Sequence, residues 1–192
     1  FKSVSLMVDG LVYLSTSLSQ VAALDAGTGE LVWSYDPRTY DRLERPGNMG
    51  WQHRGVSYWE DDDTDDARVF IATHDLFLVA LNAKTGAQYS DFGADGAVDL
   101  STTLGRAVDR SRFTHSQPLA IAGNTVIVGS IVQDTNLQYR EADPGHVRGF
   151  DTRTGEMKWI FHTIPQGDEF GADSWHNESW RYSGHSNVWG TM

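Results

Sequence analysis

The chain has 192 residues, the length of one domain. Fifteen Lys and Arg against 26 Asp and Glu give a net charge of −11, which excludes the basic face that nucleic acid needs and disfavours docking on anionic lipid. The absence of cysteine removes disulfides, thiolate metal sites and a cysteine nucleophile. No run reaches the roughly 20 apolar residues of a membrane span, and Phe1-Lys2-Ser3-Val4 lacks the pattern of a signal peptide.

Short β-rich runs separated by turn signals predict an all-β fold. Strands are expected at 6–8, 11–15 and 20–24, then at 68–72 and 77–81, then at 119–122, 125–129 and 147–151. Asp9-Gly10 and Gly123-Asn124 mark tight hairpins. No segment carries a long helical period, and residues 1–192 read as one unit. Long loops are expected at 36–56, 91–113 and 131–146, with an irregular stretch rich in Trp, His and Gly at 163–187. Loops of that length in a compact domain are functional or disordered.

Three segments repeat: Ala23-Leu24-Asp25-Ala26-Gly27-Thr28-Gly29-Glu30-Leu31-Val32-Trp33, then residues 80–89, then residues 149–159. Each has an apolar residue, Asp or Asn, two variable residues, Thr-Gly, and an aromatic (Trp33, Tyr89 or Trp159) after a short strand. The carboxylate or amide and the threonine can bind turn amides, and glycine takes the backbone angle that other residues resist. The Thr-Gly pairs begin at 28, 85 and 154, intervals of 57 and 69 residues, which suits four-stranded propeller blades with insertions. A closed propeller has about four to eight blades, so the expectation is a segment of a longer chain.

The repeat resembles the tryptophan-docking motif of pyrroloquinoline-quinone (PQQ) dehydrogenases. Further stretches match that family in order: residues 6–13, Arg54-Gly55-Val56-Ser57-Tyr58-Trp59, Val128-Gly129-Ser130, residues 145–151, residues 161–165 and Asn187-Val188-Trp189-Gly190. The likeness is greatest to the membrane-type glucose and quinate dehydrogenases. It implies three to four blades of an eight-bladed quinoprotein propeller with PQQ near its axis and a Ca²⁺ or Mg²⁺ ion beside it. It implies oxidation of an alcohol, sugar or polyol, with electrons passed to ubiquinone or cytochrome c in the periplasm. Anchoring to the inner membrane by a segment outside residues 1–192 is left open. The isolated segment is expected to be inactive, because the family's asparagine ligand and catalytic aspartate would follow Met192; no catalytic residue is named within the chain.

Arg54 falls where the family places the arginine that contacts the quinone; a guanidinium offers fixed donors and permanent charge to a carboxylate-bearing ring. Trp189 falls where the family places the indole under the planar cofactor. Asp134 stands at the spacing of an acidic metal ligand, the oxygen donor a hard cation prefers. Thr114-His115-Ser116 covers the place of a hydroxyl near the quinone, and the strict register lands on His115. Lys2 stands where relatives carry Glu or Gln. Asn48-Met49-Gly50 replaces a vicinal cysteine pair or a histidine, and His53, directly before Arg54, reads as a structural histidine, with a substitute quinone neighbour as the alternative.

Asp61, Asp63 and Asp65 have EF-hand spacing, but Asp66 and Ala72 replace the required Gly and Glu; the expectation is a solvated acidic loop. Gly27-Thr28-Gly29 lacks the third glycine of a dinucleotide fingerprint. Trp175, His176, Trp180 and His185 read either as a cluster near the cofactor mouth or as loop packing. A non-catalytic propeller of the same repeat, acting as an assembly or binding scaffold, is the competing class; it has no need for Arg54, Asp134 and Trp189 together.

Overall fold

In the computed structural model the described residues are 3–46, 50–133, 141–188 and 190. They form three successive four-stranded antiparallel sheets. The first runs in chain order through β1 (Leu6–Val8), β2 (Leu11–Ser15), β3 (Val21–Asp25) and β4 (Leu31–Tyr35). The second is β5 (Ser57–Glu60), β6 (Ala67–Ala72), β7 (Phe77–Asn82) and β8 (Ala97–Asp99). The third comprises β10 (Ala120–Ile121), β11 (Thr125–Val128), β13 (Val147–Asp151) and β14 (Met157–Phe161). A two-stranded ribbon, β9 (Phe113–Thr114) with β12 (Ile131–Val132), stands beside it. One helical turn, α1 (Thr39–Arg42), and four 3-10 turns complete the described elements.

The same turn is built three times. Asp25 Oδ1 accepts from the amides of Gly27 and Thr28 and from the Thr28 hydroxyl at 2.9, 2.8 and 3.0 Å. Asn82 Oδ1 does the same for Lys84 and Thr85 at 3.0, 3.0 and 3.1 Å. Asp151 repeats it with Arg153 and Thr154. The closing glycines 29, 86 and 155 all have φ between +72° and +76°, a region glycine enters without a Cβ penalty. These hydrogen bonds, with the Thr28 amide first, hold the Asp25 carboxyl below its usual range.

The acidic loop turns out to contain a fourth copy. Asp61 Oδ1 accepts from the amides of Asp63 and Thr64 at 2.9 and 3.1 Å. The loop is therefore not simply solvated: Asp61 is buried and paired with Arg153 of the third sheet, whose Nε lies 2.8 Å from Oδ2.

Packing follows from strand alternation. On β6, Val69 and Ile71 face the first sheet, joining Tyr13, Val21, Ala23 and Trp33. Phe70 and Ala72 face the third, joining Phe113, Val126, Val128 and Phe150. Every residue of β6 is buried, so the middle sheet is covered on both faces.

Trp33 lies across the turn of the second sheet. Its Nε1 donates to the Ala83 carbonyl at 2.9 Å, and a Cβ added at Gly86 would sit 2.5 Å from its ring. The expected partner in the second repeat, Tyr89, is used differently. It stacks on the Arg68 guanidinium at 3.9 Å and donates to Asp66 at 2.5 Å. Phe92 takes the docking place instead, 3.2 Å from a Cβ added at Gly155, while the Gly93 amide donates to the Thr154 carbonyl at 2.8 Å. The insertion 91–99 reaches the next turn three residues later than the sequence pattern suggests.

Replacing Trp33 with Ala should destabilise the full-length protein by about 3–5 kcal/mol, the cost of deleting a buried indole. Gly86→Ala should cost about 1–3 kcal/mol, since it strains a positive φ and displaces the ring. Urea unfolding monitored by tryptophan fluorescence checks both; an unchanged midpoint for either variant removes this contact as the organiser of the sheets.

Candidate functional site

The segment 51–56 connects the first sheet to β5 and passes between its neighbours by backbone pairing. The Arg54 amide donates to the Ser116 carbonyl at 2.7 Å, and the Arg54 carbonyl accepts from Val4 at 2.6 Å. Gly55, at φ +149°, leaves room for this: an added Cβ would meet the Val4 carbonyl at 2.8 Å and Pro118 at 3.1 Å. The Arg-Gly pair thus fixes the arginine's backbone beside residues 115–118. The Arg54 side chain is half-buried and forms no hydrogen bond or ion pair among the described residues.

Beside residues 115–119 lies a small cavity of about 20 Å³, lined by His115, Ser116, Gln117, Ser130, Val188 and Gly190 among others. That is room for about one water. His115 Nε2, Ser116 Oγ and Gln117 Nε2 are buried there without a hydrogen-bond partner among the described residues; such groups are costly unless something binds them. The segment carrying residue 189 is tied to the cavity wall, because the Ser130 amide donates to the Val188 carbonyl at 3.1 Å. Burial, then the charge of Arg148, push the His115 imidazole well below its ordinary pKa.

Two further histidines sit behind this wall. His53 Nε2 lies 3.1 Å from the Ala72 carbonyl and Nδ1 lies 2.9 Å from Ser15 Oγ. A carbonyl only accepts, so Nε2 carries the proton and Nδ1 accepts from the serine. His74, edge-on to His53 at 5.8 Å, has the same tautomer by the same reasoning: Nε2 donates to the Ser17 carbonyl at 3.2 Å and Nδ1 accepts from Thr114 at 2.6 Å. His53 is structural, as its sequence context suggests. Burial is the main cause that draws both imidazoles down to about 4.

Arg148 is fully buried. It donates to the Leu100 carbonyl at 2.9 Å, to Thr103 Oγ1 at 2.8 Å and to Ser130 Oγ at 2.9 Å. No carboxylate pairs with it among the described residues.

At the far end of the β9–β12 ribbon a polar cavity of about 340 Å³ is lined by Arg106, Asp109, Arg112, Glu141, Asp143 and Arg181 among others. Burial raises the Asp143 carboxyl above its usual range despite the arginines nearby. Trp175 and Trp180 line a separate open groove with Asp168, Asp173 and Glu178, sharing no lining residue with the His115 cavity.

The structure therefore sets the Arg54 backbone against Ser116, and Ser116 lines the cavity together with His115, Val188 and Gly190. Trp189 and Asp134 themselves lie outside the described residues, as do Lys2, Asn48 and Met49. No group of three or more His, Asp or Glu side chains able to hold a metal ion occurs among the described residues. No helix among them is long and apolar enough to cross a membrane. Arg148 received no role in the sequence reading. Its signal was available: a charged residue two positions before Phe150, on the strand face that packs into the core beside Val126 and Val128.

Repeated four-stranded sheets joined by aromatic-on-glycine contacts define a propeller-type all-β domain. The whole chain, residues 1–192, matches the family model described as glucose/ethanol/alcohol dehydrogenase, beta-propeller domain, designated PQQ; the chain belongs to the PQQ-dependent quinoprotein dehydrogenase family. It is 32% identical over 160 residues to the dehydrogenase subunit of alcohol dehydrogenase (quinone) from Acetobacter aceti, covering 83% of this chain and 19% of that protein. It is 31% identical over 177 residues to the quinate/shikimate dehydrogenase (quinone) of Acinetobacter baylyi, covering 81% and 21%. The crystal structure of quinohemoprotein alcohol dehydrogenase from Comamonas testosteroni superposes with a TM-score of 0.68 at 26% identity, covering 86% of this chain and 21% of that one. The chain spans about a fifth of the length of these relatives.

The neutral histidines give a pH prediction. A folded-state value near 4 lies below the ordinary 6.5, so only the unfolded chain takes up the proton between these values. Stability is full above pH 6.5 and falls as the pH drops toward 4, by roughly 3 kcal/mol per histidine. Urea midpoints measured from pH 7.5 to 4 should fall, and His53→Gln should flatten the slope. A slope unchanged by that substitution sinks the assignment.

Proposed function

We propose that this chain is the part of a PQQ-dependent dehydrogenase that grips the quinone, in an enzyme oxidising an alcohol, sugar or polyol. Electrons then pass to ubiquinone or cytochrome c, and the enzyme works in the periplasm. The observation that carries this reading is the convergence of an arginine lacking any ion pair among the described residues, buried orphan polar atoms on His115 and Ser116, and the backbone flanking residue 189.

The cavity beside His115 is too small for a ring, so the quinone belongs against its outer side, on the indole of Trp189. When bound, PQQ supplies the carbonyl that accepts hydride from the substrate carbon. Arg54 offers planar donors to a carboxylate or carbonyl oxygen. His115, held neutral, can donate or accept one hydrogen bond without adding charge. Trp189 gives the flat apolar floor that a tricyclic ring requires. Ca²⁺ or Mg²⁺ is proposed as the accompanying ion, with Asp134 as the carboxylate from this segment. The ordered motifs favour the membrane-type glucose and quinate branch. That preference rests on the motifs alone, since relatives that act on alcohols are as similar in sequence.

The full-length protein, reconstituted with PQQ and Ca²⁺, should reduce an artificial dye with at least one member of a panel of alcohols, aldoses and cyclitols. Arg54→Met should weaken PQQ binding by about ten- to a hundredfold, the worth of a charge-assisted contact of about 1.5–3 kcal/mol. Trp189→Ala should weaken it by roughly fivefold or more, about 1 kcal/mol of stacking. Equilibrium dialysis of PQQ gives these constants. A wild-type protein that binds no PQQ and reduces no dye leaves the scaffold reading in its place.

A further inference from the structure

Burying a guanidinium without a carboxylate is expensive, and a neutral side chain could bridge a carbonyl and two hydroxyls at less cost. Arg148 nonetheless stands in the middle of β13 with no exposed surface. Burial draws its pKa down to about 10, so it remains charged near neutral pH. Its three hydrogen bonds go to the Leu100 carbonyl and to the hydroxyls of Thr103 and Ser130, and none of these partners offsets its charge.

The charge is directed at the candidate site. Ser130, 2.9 Å from Arg148 Nη2, is itself a wall of the His115 cavity. The same serine's amide holds the Val188 carbonyl next to residue 189. The field reaches the cavity, since Arg148 is the largest charged influence on His115. His53, His74 and His115 are all kept neutral by burial, so they do not share this role.

We infer that Arg148 is a positioning residue that sets the reduction potential of the bound quinone, by holding a positive charge, without a carboxylate partner among the described residues, one side chain behind the cavity wall. This rests on the quinone reading above and goes beyond it. A ring that gains electrons on reduction is stabilised by a nearby positive charge more in its reduced form than in its oxidised form, and the effect is strong where water is excluded. Arg148 touches neither ring nor substrate, and it acts through Ser130 and through the field.

The test uses the full-length protein loaded with PQQ and Ca²⁺, with the midpoint potential of the bound quinone measured by spectroelectrochemical titration. Arg148→Met removes the charge. Thr103→Asp leaves the arginine in place and gives it a carboxylate where a hydroxyl now stands 2.8 Å away. Arg148→Lys keeps a cation. The methionine and aspartate variants should each shift the ratio of affinities for reduced and oxidised quinone at least tenfold, lowering the midpoint by about 30 mV or more for a two-electron couple. The lysine variant should stay close to wild type. If the methionine variant does not fold, Thr103→Asp decides alone, because pairing a buried charge relieves its isolation. Folded variants with the wild-type midpoint overturn the inference and leave Arg148 a purely structural tie. A wild-type protein that takes up no quinone overturns the functional reading first, and this inference with it.

Discussion

The architecture depends on a ring laid over a glycine. Trp33 spans the Thr85-Gly86 turn so closely that a methyl group there would overlap the indole; at Gly155 the close approach is shared by Val98 at 2.8 Å and Phe92 at 3.2 Å. Each turn has to present a residue without a Cβ in a left-handed conformation, and each sheet has to deliver a bulky side chain to the next turn, at a sequence distance that insertions change. The Asx–threonine hydrogen bonds meet the first requirement three times over with nearly the same geometry. Hydrophobic burial between sheets then locks what the turns have aligned.

The candidate site is a by-product of that alignment. Once the first and third sheets are set against the middle one, the connector through Arg54 and the segment following β9 are adjacent, and the Arg54 amide pairs with the Ser116 carbonyl. Arg54 reaches its place through main-chain bonds and a glycine that admits a close crossing. Its side chain is thereby left available for something else. The same economy appears at Ser130, whose amide holds the segment at 188 while its hydroxyl receives Arg148.

The repeats, hairpins and most strands were legible because their signals are local: Asp9-Gly10 and Gly123-Asn124 turn where expected, and the Asx–Thr-Gly turns carry their own hydrogen-bond partners. Features that depend on contact between distant segments were not. The β9–β12 ribbon pairs two strands of two residues each inside regions read as loops, too short for any periodicity. Tyr89 stood in for Phe92 because an insertion moved the docking ring outside the expected interval. Asp61 looked solvated because its partner Arg153 is 92 residues away. At the site, Arg54 and His115 could be named from motif order, but their adjacency required the fold. Arg148 went unassigned because its partners Leu100, Thr103 and Ser130 lie 48, 45 and 18 residues away, a distance no local pattern reveals.

The direction of the histidine hydrogen bonds has a consequence for proton traffic. From Ser15 through His53, and from Thr114 through His74, each relay runs from hydroxyl to imidazole and stops at a main-chain carbonyl. A carbonyl oxygen has no proton to hand on, so both routes are blind alleys. Neither histidine, in this tautomer, can carry a proton onward past its carbonyl.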